Sequence, residues 1–221
     1  MGQAAKNLLL FVSALFPIVN PLGGAPIFLV MTSFFDANMR KALSWRIAVN
    51  SFFLLIGSYF IGAHILSFFG ISLPVVQVGG GLVVISSGWA MLKQKDDEPR
   101  SDLHHQTSNQ DPFRNAFYPL TLPLTVGPGS ISVAITLGAN ASPHIGVSLL
   151  LSVLAAIIAC ALVAISVFIC YGFADRLARI LGPTGMTVIM RLSSFLLVCI
   201  GVQILWNGAS ALLTALPTTA H

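Results

Sequence analysis

The chain has 221 residues, 56% of them hydrophobic and only 8% charged, with a mean hydropathy of +0.88. Soluble domains carry about 25% charged residues, so this composition excludes a soluble globular protein and indicates an integral membrane protein. The net charge of +4 and the pI near 9.3 do not point to a nucleic-acid partner, because no basic, aromatic-rich stretch accompanies them.

Residues 7–35, 47–92, 115–174 and 192–221 contain no Asp, Glu, Lys or Arg. A helix needs about 20 apolar residues to cross a bilayer, and the four runs divide into six predicted spans. Span one, about 7–35, begins in MGQAAKNLLLFVSALF. That opening resembles a signal peptide but lacks a small-x-small cleavage site, so it reads as an uncleaved first span. After a polar island at 36–46 come span two, about 47–68, and span three, about 74–92, joined by a tight turn at FFGISLP. Residues 93–114, KQKDDEPRSDLHHQTSNQDPFR, form a polar loop. Span four, about 115–138, and span five, about 146–174, are joined through GANASPHIG. A third island at 175–191 precedes span six, about 192–213.

Six spans put all three islands on one face. They hold Arg40, Lys41 and Arg46, then Lys93, Lys95, Arg100 and Arg114, then Arg176, Arg179 and Arg191, leaving only Lys6 opposite. Lys and Arg are retained on the cytoplasmic side, so the islands are cytoplasmic and both termini are outside. Every Asp and Glu also falls in the islands, so none lies at membrane depth, where cation-coupled carriers usually keep theirs. His64 lies within span two and reads as a packing or hydrogen-bonded residue. Cys160, Cys170 and Cys199 fall within spans as small hydrophobes, and no ligand spacing predicts a metal or other cofactor.

Two stretches repeat each other. FPIVNPLGGAPIF at 16–28, shifted by 102 residues, lies over YPLTLPLTVGPGS at 118–130. Pro17, Pro21 and Pro26 then fall on Pro119, Pro123 and Pro128 without a gap. A fainter match aligns GLVVISSGWAML with SFLLVCIGVQIL, placing Gly88 on Gly201. The repeat unit is therefore three spans: residues 1–92 form one half, 93–114 the loop, and 115–221 the other half. An odd number of spans makes the second copy enter from the opposite face, the inverted-repeat plan of secondary transporters. The expected fold is all-α: six transmembrane helices in two inverted three-helix repeats, with helices one and four broken.

Each proline removes a donor and displaces the carbonyl four residues earlier. Three within ten residues read as a helix that stops and restarts. Such backbone survives at membrane depth only against protein or a water-filled cavity, which places a binding site where the two segments meet. Restarting half-helices offer free N–H groups to a carboxylate, and stopping ones offer carbonyls to an ammonium. Gly23, Gly24, Gly127 and Gly129 allow close approach, and Asn20, Thr121, Thr125 and Ser130 add neutral donors and acceptors. A small zwitterion fits this set. Arg191, at the start of span six, is either a membrane-interface anchor or a partner for a substrate carboxylate.

NPLGGAPIF, PLTLPLTVGPGSI and RLSSFLLVCIGVQ resemble the MarC family of bacterial inner-membrane proteins, which includes SnatA-type neutral amino-acid transporters. The resemblance covers nearly the whole chain. It implies a six-span carrier in the bacterial inner membrane, with Asn20, Pro21 and Gly23 carried over from the first segment and Gly127, Pro128 and Gly129 from the second. Arg191 matches the family's Arg-Leu start to the last span.

The functional expectation is a secondary transporter, not an enzyme, that exports small neutral amino acids of the glycine, alanine and threonine class by alternating access. The alternatives are a passive pore for small neutral solutes and a MarC-type protein with another small cargo. An enzyme needs a nucleophile, base or metal set at membrane depth, and none is present. The bilayer and a small neutral amino acid are the expected partners. Gly79, Gly80 and Gly81 allow close packing within the chain or in a homo-oligomer.

Overall fold

The computed structural model describes residues 3–93, 116–140 and 147–215. The polar loop expected at 93–114 lies outside the described residues beyond Lys93, as does most of the 138–146 turn. Every regular element among the described residues is helical: α1 (Gln3–Val19), α2 (Pro21–Met31), α3 (Ala37–Phe68), α4 (Leu73–Lys93), an irregular α5 (Ala116–Thr125), α6 (Pro128–Ala139), α7 (Val147–Gly172) and α8 (Ala174–Thr214). Five spans are long and apolar enough to cross a membrane, α1 and α2 together making one of them, Ala5–Met31. Counting the bent α5–α6 pair as one span makes six.

Two helices reach further than their apolar runs. α3 begins at Ala37 because Asp36 caps it, its carboxylate accepting the Met39 N–H at 3.1 Å. The island expected at 36–46 is thus largely the first turns of α3. Likewise, α8 starts in the third island and is interrupted at Gly182, whose φ of 66° suits glycine, directly before Pro183. Arg191 therefore sits within a helix already two turns old.

Glycines set the closest helix pair. A Cβ on Gly81 would strike Leu205 and the Gly201 carbonyl; one on Gly88 would strike Ser194 and Val198; one on Gly208 would strike the Pro74 carbonyl and Gln77. Rising numbers on α4 meet falling numbers on α8, so the two run antiparallel with backbones in contact. Gly62 against Ile135 and Gly138 against the Tyr59 backbone join α3 to α6 in the same way. The main core gathers Leu15, Val19, Phe28, Leu43, Ile47, Leu55, Val163 and Tyr171 around α2 and α5.

The two ends of the bundle differ. At one, Arg40 holds Asp175 through paired bonds of 2.9 and 3.0 Å, while its Nη1 donates to the carbonyls of Thr32 and Phe35. One side chain thus ties the end of α2 and the start of α3 to the start of α8. At the other, Asn7 bonds Ser152 at 3.1 Å and Phe11 packs edge-on against Tyr59. The outer surface is apolar: Leu154, Ile158, Leu162, Ile165 and Ile169 form an exposed stripe on α7, as a lipid-facing helix requires. His64, expected to pack or to hydrogen-bond, is exposed on α3 and does not pack in the core.

Candidate functional site

Span one breaks at a single residue. Asn20 takes the left-handed conformation, φ 49° and ψ 57°, which Asn tolerates better than most side chains. Its Oδ1 accepts the Gly23 N–H at 3.1 Å, and its carbonyl accepts the Gly24 N–H at 2.9 Å. α2 therefore restarts at once, and Pro17 and Pro26 lie inside regular helix. The expectation of three interruptions here reduces to one. The restart offers little to an anion: Pro21 has no N–H and Asn20 takes that of Gly23. The α1 carbonyls of Ile18 and Val19, by contrast, come at the helix end and have lost their ladder donors.

Span four breaks over a longer stretch. Tyr118 and Leu122 have extended backbone inside α5, and α6 leaves at 70° to it. The threonines hold this segment together. Thr121 Oγ1 donates to the Ala116 carbonyl at 2.6 Å and Thr125 Oγ1 to the Leu120 carbonyl at 2.7 Å, each five residues back. Gly127 starts α6 with no side-chain cap, and the first ladder bond is Ile131 N–H to the Gly127 carbonyl at 3.1 Å. The N–H groups of Gly129 and Ser130 come before it and have no partner within the helix. The Ser130 hydroxyl turns back to Gly127 O at 2.9 Å.

The two breaks meet around a cavity of about 240 Å³. Of the expected site residues, Asn20, Gly24, Thr125, Gly127, Pro128, Gly129 and Ser130 line it. Pro21, Gly23 and Thr121 are buried beside it and do not. Arg191 is exposed on α8 and is also not among its walls.

Three features were missed in the sequence. Val84, Ser87 and Met91 of α4 and Leu197 of α8 close the cavity. Tyr171 bridges the two breaks from behind: its ring stacks on Phe28 at 4.7 Å, and its hydroxyl lies 3.0 Å from Thr125 Oγ1. A Cβ on Gly24 would strike that hydroxyl, so the glycine makes room for it. A signal for Tyr171 does exist. Ala155, Ala159, Val163 and Val167 are buried at four-residue intervals, and Tyr171 continues that stripe.

The cavity wall carries no ionisable side chain. Its lining includes the residues that end α1, Ile18 and Val19, and those that open α6, Gly129 and Ser130; a helix end leaves carbonyls, and a helix start N–H groups, without ladder partners. Helix ends of this kind carry about half a unit of charge, negative for the carbonyls and positive for the N–H groups. Asn20 Nδ2 is buried with no hydrogen-bond partner, an arrangement that costs about 1–3 kcal/mol. No metal-binding group of His, Cys, Asp or Glu occurs among the described residues.

A family profile described as MarC family integral membrane protein matches residues 5–213. The inner membrane protein MarC of Salmonella arizonae is 33% identical over 214 residues, covering 94% of this chain and 96% of that protein. The membrane protein YvbG of Bacillus subtilis is 30% identical over 205 residues, covering 92% and 94%. No solved structure gives a significant match. With a family profile spanning nearly its whole length and relatives matched almost end to end, the chain belongs to the MarC family of integral membrane proteins.

Proposed function

We propose that the protein is a secondary transporter that exports small neutral amino acids of the glycine, alanine and threonine class. In this reading six spans form two inverted halves, the Arg40–Asp175 end faces the cytoplasm and both termini lie outside. The cavity between the two breaks holds the solute, and alternating access carries it across.

One observation supports this most directly. A cavity lined by no ionisable side chain gathers the residues that end α1 and those that start α6, together with Asn20, whose amide nitrogen has no hydrogen-bond partner. Carbonyls suit an ammonium and N–H groups suit a carboxylate, so a zwitterion is served at both ends with no charged side chain. At about 240 Å³ the cavity falls below the roughly 300–1,000 Å³ of drug-sized sites. Glycine and alanine leave a small pocket little side chain to accommodate. No step in this cycle makes or breaks a covalent bond, so the protein is read as a carrier and not an enzyme.

Counterflow tests the reading. Proteoliposomes preloaded with unlabelled alanine are expected to take up labelled alanine faster than unloaded ones, with saturation. Flux that rises linearly and ignores the preload would indicate a passive pore. No flux above empty liposomes, from protein that elutes as a folded species, would overturn the amino-acid assignment.

A further inference from the structure

A second cavity, of about 290 Å³, lies between α1, α4, α6 and α8. Its polar lining comes from Ser13, Gln77, Thr136 and Asn207. Along α4 the first cavity takes Val83, Val84, Ser87 and Met91, towards Lys93, whereas the second takes Gln77. Along α8 the first takes Leu197 and the second takes Ile200, Ile204 and Asn207. The two cavities are therefore stacked along the bundle, the second nearer the end where α1 begins and α8 finishes.

What separates them is apolar. Ile18, Val84, Leu197 and Ile204 form a buried cluster of their own, distinct from the main core, each at most 9% exposed. Ile18 lines both cavities, Val84 and Leu197 line only the first, and Ile204 lines only the second. The cluster draws its members from α1, α4 and α8, so helices from both halves of the chain meet in it.

We infer that the two cavities are successive stations on one solute path, and that Ile18, Val84, Leu197 and Ile204 are the barrier closing it in this conformation. The second cavity receives a small uncharged or zwitterionic solute against the amides of Gln77 and Asn207 and the hydroxyl of Thr136. A hydrophobic constriction blocks a polar solute by withholding water from it. Opening requires α1 to move against α4 and α8, which the break at Asn20, two residues after Ile18, permits. This deepens the carrier reading and rests on it for the identity of the solute, though not for the existence of the barrier.

Cysteine accessibility tests the barrier without any substrate. In a background with Cys160, Cys170 and Cys199 replaced by Ala, Gln77→Cys and Ser87→Cys stand on the same helix, about 15 Å apart, on either side of Val84. A membrane-impermeant maleimide is added to intact cells or to inverted vesicles. Gln77→Cys is expected to react from the face of the termini only, and Ser87→Cys from the opposite face only. Adding Leu197→Ala is expected to raise labelling of Ser87→Cys from the face of the termini at least tenfold. Ile204→Ala provides a second opening variant, and size-exclusion elution of each shows that it is folded. Labelling of Ser87→Cys from both faces with the cluster intact would overturn the barrier. So would a folded Leu197→Ala or Ile204→Ala protein with unchanged labelling. If labelling behaves as expected while alanine flux is absent, the path stands and the cargo assignment falls.

Discussion

The first and second proline segments carry the same three prolines at the same spacing, yet one runs on as a single 27-residue span and the other bends by 70°. A residue before proline is pushed out of the helical region. In the second segment all three such residues, Tyr118, Leu122 and Gly127, are extended. In the first only Asn20 leaves the helix, and it becomes left-handed, not extended, while Phe16 and Ala25 stay helical. Asn20 aligns with Leu122. Asn can cap the restart with its own side chain; Leu cannot, so the second segment takes its hydrogen bonds from Thr121 and Thr125 instead. Proline spacing determines that a span breaks. The residues between the prolines determine how the freed backbone groups are satisfied, and hence which of them remain for a ligand.

The contrast is tested most severely at Gly24. Gly24→Leu drives a side chain into the Tyr171 hydroxyl and is expected to cost about 3 kcal/mol, whereas Gly127→Ala, with φ of −87°, should cost less than about 1 kcal/mol. Thermal unfolding in detergent reads both. Next in size, Asn20→Ala loses the cap and puts alanine, which tolerates left-handed backbone less well than Asn, at that position, about 2 kcal/mol together. Leu122→Ala at the aligned position should cost only about half of that, having neither feature to lose. If the two cost the same, the self-capping explanation of the one-residue break is wrong. Thr125→Val leaves the buried Leu120 carbonyl without its donor, an expected loss of about 1.5 kcal/mol. Tyr171→Phe keeps the ring stack and removes only the hydroxyl contact, about 1 kcal/mol. The smallest effect on stability is expected from Asn20→Gly, a few tenths of a kcal/mol, because glycine accepts the left-handed conformation without strain.

Both breaks were legible in the sequence because proline acts on the backbone within a few residues. Seven of the expected site residues line one cavity for the same reason: they sit on or beside the prolines. The opposite wall was not legible. It depends on how α4 and α8 are rotated, and their apolar residues in lipid show no inside-to-outside change of polarity to reveal it. Size carries that information instead, as on α7, where Ala159 and Val163 face inward and Leu162 and Ile165 face out. Arg191 was assigned by position in a motif, and α8 turns it to the exposed surface. Gln77 and Asn207 lie far apart in sequence, and only the antiparallel packing of α4 on α8 places them in one cavity.

Asn20→Gly is the variant that separates function from folding, since it should leave the span intact while removing from the cavity lining a side chain whose amide nitrogen has no partner. Alanine counterflow in proteoliposomes is the measurement to make on it, at matched protein content and with unfolding midpoints compared. Counterflow reduced at least tenfold, with the midpoint nearly unchanged, is expected if the two breaks form the solute site. Counterflow equal to that of the unmodified protein would contradict a site built on the Asn20 break.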